Sequence, residues 1–440
     1  MSRKLLTSSA AVVLLLGVWT LAGSAIMAWA ADAAKESANV QLEEQKETYD
    51  AHRPYVKYHF DDVEMDFVLE WVLGSTPFGG CEIGEAFYTA GQIKDGDPRS
   101  WQEQWEATAQ RVEAKGREFL AAGHAISARE ALIRASNYYR TALVSVMPDD
   151  PKFKRLGNKL RSVFKEAAKL FDPPMVYFEI PFEGTALPGY YRKVDNSGKK
   201  RPTLIMIGGG ETFAEELYVY IAPAAIKRGY NFLTVDLPGQ GMLPLEGKFF
   251  RPDPEAPLKK VLDYALQQPE VDPERLAAYG ISGGGYFVPR LAAKDKRVKA
   301  AVLNSAVIDE YALFKSMPNA KATPEEIKQW GAFKRATAGV VSWRWGLDPT
   351  DISGLAEANQ GWQVDPAQVD CPTLIIIGSG EYANEEVKRQ QQACLQALPN
   401  PNKKLVVTPE DLGASSHCVG ENRSLMSEIV FNWLDETFKK

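Results

Sequence analysis

Apolar positions recur at helical spacing from about Asp61 to Leu170. Phe67, Val68, Trp71 and Val72 share one face, as do Trp101, Trp105, Thr108 and Val112, followed by Ala131, Leu132, Ala135, Tyr138 and Tyr139. No period-two alternation interrupts them, so the pattern predicts an all-helical unit over residues 61–172. Asp172-Pro173-Pro174 then breaks the chain. Beyond the break the rhythm changes. Val176 to Ile180 and Gly189 to Val194 read as a hairpin of exposed strands, and Thr203 to Ile207 is a continuous apolar run of the kind a buried parallel strand shows. Helical stretches at Phe213–Arg228, at Ala256–Gln268, around Leu291 and up to Leu398 alternate with strands at Asn231–Val235, Arg275–Tyr279, Lys299–Leu303, Thr373–Ile377 and Lys404–Val407. Phe431–Phe438 closes the chain as a helix. Strands alternating with helices predict an α/β domain over residues 173–440 with a mostly parallel sheet. Residues 306–365 break the alternation: they read as helical, carry Trp330, Trp343, Trp345 and Trp362, and contain no strand pattern. They are expected to form a lid-like insertion over one end of the sheet.

The N-terminus differs in kind. Arg3 and Lys4 precede an apolar run from Leu5 to about Ala30 that ends in Ala28-Trp29-Ala30. A basic start, an apolar middle and small residues at the end predict a cleaved signal over residues 1–30, with an uncleaved membrane anchor as the alternative. Either way the folded part is expected outside the cytoplasm, periplasmic or secreted, without stable membrane insertion once the signal is removed. Residues 31–60 are polar and read as a loose leader. Losing Arg3 and Lys4 deepens the net charge from −6 to −8, and an acidic chain without a basic cluster disfavours nucleic-acid binding. Cys81, Cys371, Cys394 and Cys418 form no C-x-x-C pair, so small buried thiols are expected, although export permits a disulfide.

Chemistry concentrates in four places. Gly280-Ile281-Ser282-Gly283-Gly284 matches G-x-S-x-G, directly follows a strand and opens a helix, as a nucleophile elbow requires. Ser282 is the candidate nucleophile. The chain holds four histidines, His52, His59, His124 and His417, of which only His417 follows Ser282. It is therefore the candidate general base. The acid that orients it should follow the strand Thr373–Ile377, where Glu381 is the first choice and Asp309, after the preceding strand, the fallback. Gly208-Gly209-Gly210, after the first buried strand, can bring a backbone N–H to a developing oxyanion. Gly283 with Gly209 or Gly210 are the candidate donors. Asp236, ahead of the nucleophile in Asp236-Leu237-Pro238-Gly239-Gln240-Gly241, reads as structural. Tyr138, Tyr139 and Trp343 are candidates to line a substrate pocket, with core packing the alternative for each. No H-E-x-x-H or G-x-G-x-x-G is present, so neither a metal nor a dinucleotide is implied.

The glycine loop Gly208 to Thr212 with Glu215-Glu216, the Asp236–Gly241 loop, the Ser282 elbow and the helical Arg134 to Ala142 stretch together resemble the helical-capped α/β-hydrolases. That family includes 2,6-dihydroxypseudooxynicotine hydrolase, the fungal polyketide-shortening pigment hydrolases and the fermentation–respiration switch-type esterases. The resemblance implies an α/β-hydrolase core behind an N-terminal helical cap, a Ser–acid–His triad, no cofactor, and a small-molecule substrate cleaved at an ester or at a C–C bond of a diketone-like compound. Glu381 stands where the family more often has Asp. A serine peptidase or acyl-peptide hydrolase, a non-catalytic binding protein on the same scaffold and a surface-anchored interaction protein are the rival readings. Oligomeric state is left open, a homodimer included.

Overall fold

A computed structural model describes residues 49–350 and 352–439. The expected signal, and the leader up to residue 48, lie outside the described residues. Among the described residues five α-helices precede the first strand: α1 (Val63–Leu73), α2 (Ile83–Ala90), α3 (Pro98–Ala121), α4 (Ala125–Leu143) and α5 (Pro151–Lys169). Their starts are written locally. Asp62, Asp97 and Asp150 cap α1, α3 and α5 by accepting from backbone N–H groups of the first turn, and Pro98 and Pro151 occupy first-turn positions where no N–H is needed. The apolar faces of α3 and α4 meet around fully buried Trp101 and Trp105, and the Trp101 indole donates to the Thr141 carbonyl at 2.9 Å.

The sheet has eight strands: β1 (Val176–Phe182), β2 (Thr185–Arg192), β3 (Arg201–Ile207), β4 (Asn231–Val235), β5 (Val271–Ile281), β6 (Ala300–Asn304), β7 (Thr373–Gly378) and β8 (Lys403–Thr408). Their order is β1-β2-β4-β3-β5-β6-β7-β8. The hairpin β1–β2 joins β4 antiparallel, and all later pairings are parallel. Helices α6 (Ala214–Lys227), α7 (Glu255–Gln267), α8 (Gly284–Lys294), α15 (Glu385–Ala397) and α16 (Arg423–Thr437) belong to the sheet layer. Between β6 and β7 the insertion folds as short helices α9 (Glu310–Lys315), α10 (Pro318–Lys321) and α11 (Pro324–Gln329), the longer α12 (Ala332–Arg344), and α13 (Leu355–Ala358). A further turn, α14 (Ser379–Tyr382), follows β7 directly. This is an α/β-hydrolase arrangement with the helical region ahead of the strands. Among the described residues no helix is long and apolar enough to cross a membrane. Cys81, Cys394 and Cys418 are buried free thiols and Cys371 is a half-buried one.

Two expectations are corrected. The last helix begins at Arg423, eight residues before Phe431, because the Asn422 side chain accepts from the Leu425 N–H and caps it there. The leader is not loose where it is described. Residues 49–60 form a strap fixed to every layer: Tyr49 is buried and its N–H donates to the Ser316 carbonyl at 3.0 Å. Asp50 pairs with Lys334 of α12 at 2.9 Å. One carboxylate, Asp66 of α1, accepts from the N–H groups of Tyr58, His59 and Phe60. Charge and polarity mark a segment as solvated only when its charges lack partners, and here they have them.

The cap is locked to the core by a buried ion-pair cluster. Arg161 of α5 reaches Glu215 at 2.8 Å and Asp236 at 2.5 Å, both carboxylates almost fully buried. Asp236 also accepts from the Ala214 N–H at 2.7 Å, which confirms it as a structural residue tying the loop after β4 to the start of α6. Removing one partner of such a cluster strands buried charge. Arg161→Met is therefore expected to lower unfolding free energy by about 3–5 kcal/mol, seen as a shifted urea midpoint. An unchanged midpoint would contradict the role given to the cluster.

Candidate active site

β5 ends in a sharp turn. Ser282 has φ 53, a left-handed conformation that costs a residue with a Cβ, and its N–H is held by the Asn304 carbonyl at 2.8 Å. A side chain at Gly280 would meet the Gly284 carbonyl oxygen at 2.0 Å, so the turn closes only with glycine there. The result lifts the Ser282 side chain above the sheet edge at the start of α8.

The glycine loop after β3 lies against this turn. A methyl group on Gly209 would sit 2.5 Å from the Ser282 Cβ and 2.8 Å from both its Oγ and the Gly283 nitrogen. The loop is pinned from below: the fully buried Gln240 donates through Nε2 to the carbonyls of Gly208 (2.7 Å) and Gly209 (3.1 Å), while its Oε1 accepts from the Leu237 N–H. Those bonds turn the loop carbonyls toward Gln240. Gly210 and Gly283 face the cavity beside Ser282. Gly209→Ala would fill the space beside Ser282 Oγ, and is expected to cut kcat on an activated ester on the order of 10²-fold. Turnover near that of the unmodified chain would show that this space is not used.

His417 lies after β8 in a short turn in which Cys418 and Val419 both take positive φ. The turn is fixed because the Cys418 carbonyl accepts from Asn304 Nδ2 at 2.8 Å and from the Tyr220 hydroxyl. His417 Nδ1 meets Glu381 Oε1 at 2.6 Å, with both side chains buried. Glu381 sits on α14, immediately past β7. Its Oε1 also accepts from the Tyr49 hydroxyl at 2.5 Å, and its Oε2 from the Cys418 N–H at 3.3 Å. Burial alone would raise this carboxyl, but the His417 imidazole and these donors outweigh it and hold it below the usual carboxylate range. Burial likewise disfavours a charged His417. The adjacent Cys418 and Glu381 outweigh it, so His417 titrates well above an ordinary histidine.

The fallback acid is placed elsewhere: Asp309 caps α9 through the Ala312 N–H at 2.9 Å and accepts from Gln363, while it is Glu381 that meets His417 Nδ1.

Two cavities open on Ser282 and His417. The larger is walled by the insertion, with Phe314, Met317, Trp330, Val341 and Trp345, and it is mainly apolar. The smaller is walled by the cap, with Phe67, Trp71, Asn137, Arg140 and Val144. Glu310 faces the larger one; burial, with Asp309 beside it, pushes its carboxyl up to about 8.

The expected lining residues Tyr138, Tyr139 and Trp343 are elsewhere. Tyr138 and Tyr139 are fully buried inside the cap, where their hydroxyls donate to Glu85 and Glu113, each at 2.7 Å. Trp343 packs edge-on against Phe153. Helical periodicity marks which face is buried but not whether it is buried by protein or by a ligand. The sequence reading did not single out Gln240 or Tyr49, and it set His52 aside because it precedes Ser282. Gln240 stood inside a motif already singled out. Tyr49 and His52 stood in a segment read as leader.

Comparison with known proteins agrees with this architecture. The profile of the Esterase FrsA-like family matches residues 99–328, from α3 of the cap through the elbow into the insertion. The hydrolase acrC of Aspergillus aculeatus is 39% identical over 425 residues, covering 87% of this chain and 98% of the relative. The 20-hydroxy-prefusarin hydrolase FUS2 of Gibberella moniliformis is 36% identical over 407 residues, covering 85% of this chain and 96% of the relative. The crystal structure of 2,6-dihydroxy-pseudo-oxynicotine hydrolase shares the fold with a TM-score of 0.64 at 21% identity, across 82% of this chain and 95% of that one.

Proposed function

The chain belongs to the FrsA-like esterase family and is an α/β-hydrolase acting on small molecules; we propose that it works as a serine hydrolase through an acyl-enzyme on Ser282, cleaving an ester or a C–C bond of a diketone-like compound. The observation that carries this reading is the 2.6 Å contact between His417 Nδ1 and Glu381, in the cavity where Ser282 stands on a strained turn. With Nδ1 occupied, Nε2 is the nitrogen that takes the Ser282 proton as Oγ attacks a carbonyl carbon. Glu381 orients the ring and stabilises it once charged. The Gly283 N–H and the loop at Gly209 and Gly210 receive the oxyanion. His417 then returns its proton to the leaving group, and water, activated by the same imidazole, frees the acid.

The apolar character of the larger cavity supports a mainly apolar substrate part on one side of the reacting bond, and the smaller cavity supports a second part on the other. A fluorophosphonate probe is expected to label Ser282, and an ester panel to show turnover. A chain that neither reacts with the probe nor turns over any ester would sink the reading.

The pH profile follows from the titration of His417. The base must be neutral to accept a proton, and its proton is held more tightly than in a free histidine. The value of kcat/KM should therefore climb with pH through a midpoint above the usual value of about 6.5. A midpoint at or below that value, read from a pH–rate profile, would contradict the strong coupling to Glu381.

A further inference from the structure

Ser282, His417, Gly210 and Glu211 line both cavities and so mark their junction; His52 lines both with them. The first four come from the nucleophile elbow, the base loop and the glycine loop. His52 comes from the strap ahead of the cap and has no part in the triad. It is nevertheless built like the triad base. Its Nδ1 meets Glu64 Oε1 of α1 at 2.6 Å, Glu64 being buried, and its ring stacks on Phe67 with centroids 4.8 Å apart and planes 11° from parallel. The imidazole is thus fixed in position, and among the described residues Nε2 is the nitrogen left for a ligand. About a quarter of the side chain is exposed (26%), enough for a ligand in the junction to reach it.

The charges around His52 keep it cationic. Burial opposes the charge, but Glu64, then Glu211 and Asp50, outweigh it and raise the imidazole to about 9. Asp50 is itself paired with Lys334 of α12, and Glu211 lies 3.6 Å from Arg140 of α4. His52 therefore offers a fixed, charged donor beside the nucleophile, in a position the triad chemistry of a simple ester does not call on. An ester leaves as an alkoxide, which takes its proton from His417.

A C–C bond is different, because the departing carbon must hand its electron pair to a neighbouring carbonyl. Resting on the Ser282 reading above and narrowing it, we propose that His52 is a substrate-contacting residue whose Nε2–H binds the second carbonyl oxygen of a β-diketone, the oxygen that becomes an enolate when the C–C bond breaks. Ser282 Oγ adds to the first carbonyl carbon and its proton passes to His417. The adduct collapses to the acyl-serine, and the electron pair of the broken C–C bond forms the enolate, with its charge on the oxygen facing His52. The proton on His417 goes to the enolate carbon, giving a ketone, and water then releases the acid. His52 keeps its proton throughout, so its contribution is a preorganised charge-assisted hydrogen bond.

The test compares two probes, benzoylacetone and a p-nitrophenyl ester, in the full chain. His52→Phe keeps the stacking on Phe67 and removes the donor. It is expected to lower kcat/KM for the diketone on the order of 10²-fold while the ester changes by less than about 3-fold. Glu64→Gln keeps the imidazole but removes the charge that holds it cationic. It should move the alkaline fall of diketone turnover to lower pH and leave the ester profile in place. Equal losses on both probes, no loss on either, or a wild-type chain that cleaves the ester and leaves the diketone intact would each overturn the proposal. Wild-type turnover that Ser282→Ala fails to abolish would instead bring down the Ser282 reading, and this inference with it.

Discussion

Ser282→Ala is expected to lower kcat on a p-nitrophenyl ester on the order of 10⁴-fold or more, with no comparable loss of stability. Both halves follow from the elbow. The Ser282 Oγ lies beside the Gly209 loop and lines the same cavity as His417. Alanine keeps the Cβ, so it keeps the cost of φ 53 and leaves the turn as it was. Residual turnover should come only from the donors that polarise the carbonyl. Activity retained by a variant with an unaltered circular dichroism spectrum and melting temperature would mean that Ser282 is not the nucleophile.

Glu381→Gln should be almost as damaging, lowering kcat on the order of 10³–10⁴-fold. Three donors converge on this carboxylate: His417 Nδ1–H and the Tyr49 hydroxyl on Oε1, and the Cys418 N–H on Oε2. A carboxylate accepts all three. An amide presents one oxygen and one NH₂, so whichever way it turns, a donor faces a donor. The ring of His417 is then free to take the wrong tautomer, and the charge that stabilises its protonated form is gone. The pH profile separates this from simple loss of folding. Glu381 raises His417, so without it the acid limb of kcat/KM should move to lower pH even as the maximum falls. A variant with wild-type kcat, or one whose limb stays where it was, would remove Glu381 from the triad.

Much of this site was legible because its chemistry is tied to chain order. Ser282 announced itself by glycines flanking it between a strand and a helix. His417 was chosen by elimination and Glu381 by its place directly after β7, and the structure brings the two together. The sheet was legible because strands buried on both faces, such as β3 and β7, read as unbroken apolar runs. What was not legible were relations between distant segments. Tyr138 and Tyr139 look like pocket residues until Glu85 and Glu113 are found opposite their hydroxyls. The start of α16 was missed because Asn422 lies well before the apolar pattern that was used to place it. His52 and Tyr49 were hidden in polar sequence, since a polar segment that docks and one that does not have the same composition.

The strap also sets the order in which the protein can become active. Tyr49 and the acid it bonds are 332 residues apart, so their meeting closes a loop through most of the chain. Such long-range contacts form late, after the local helices of the cap and the nearer strand pairs. During synthesis Ser282 emerges well before Glu381 and His417, and the strap, although it can already meet Asp66, Ser316 and Lys334, has no Glu381 to bond until that residue has emerged. On the Ser282 reading, a chain that ends before Glu381 holds Ser282 and the Gly209 loop without an oriented base. If Glu381 orients His417, recovery of turnover on refolding should trail recovery of helical signal.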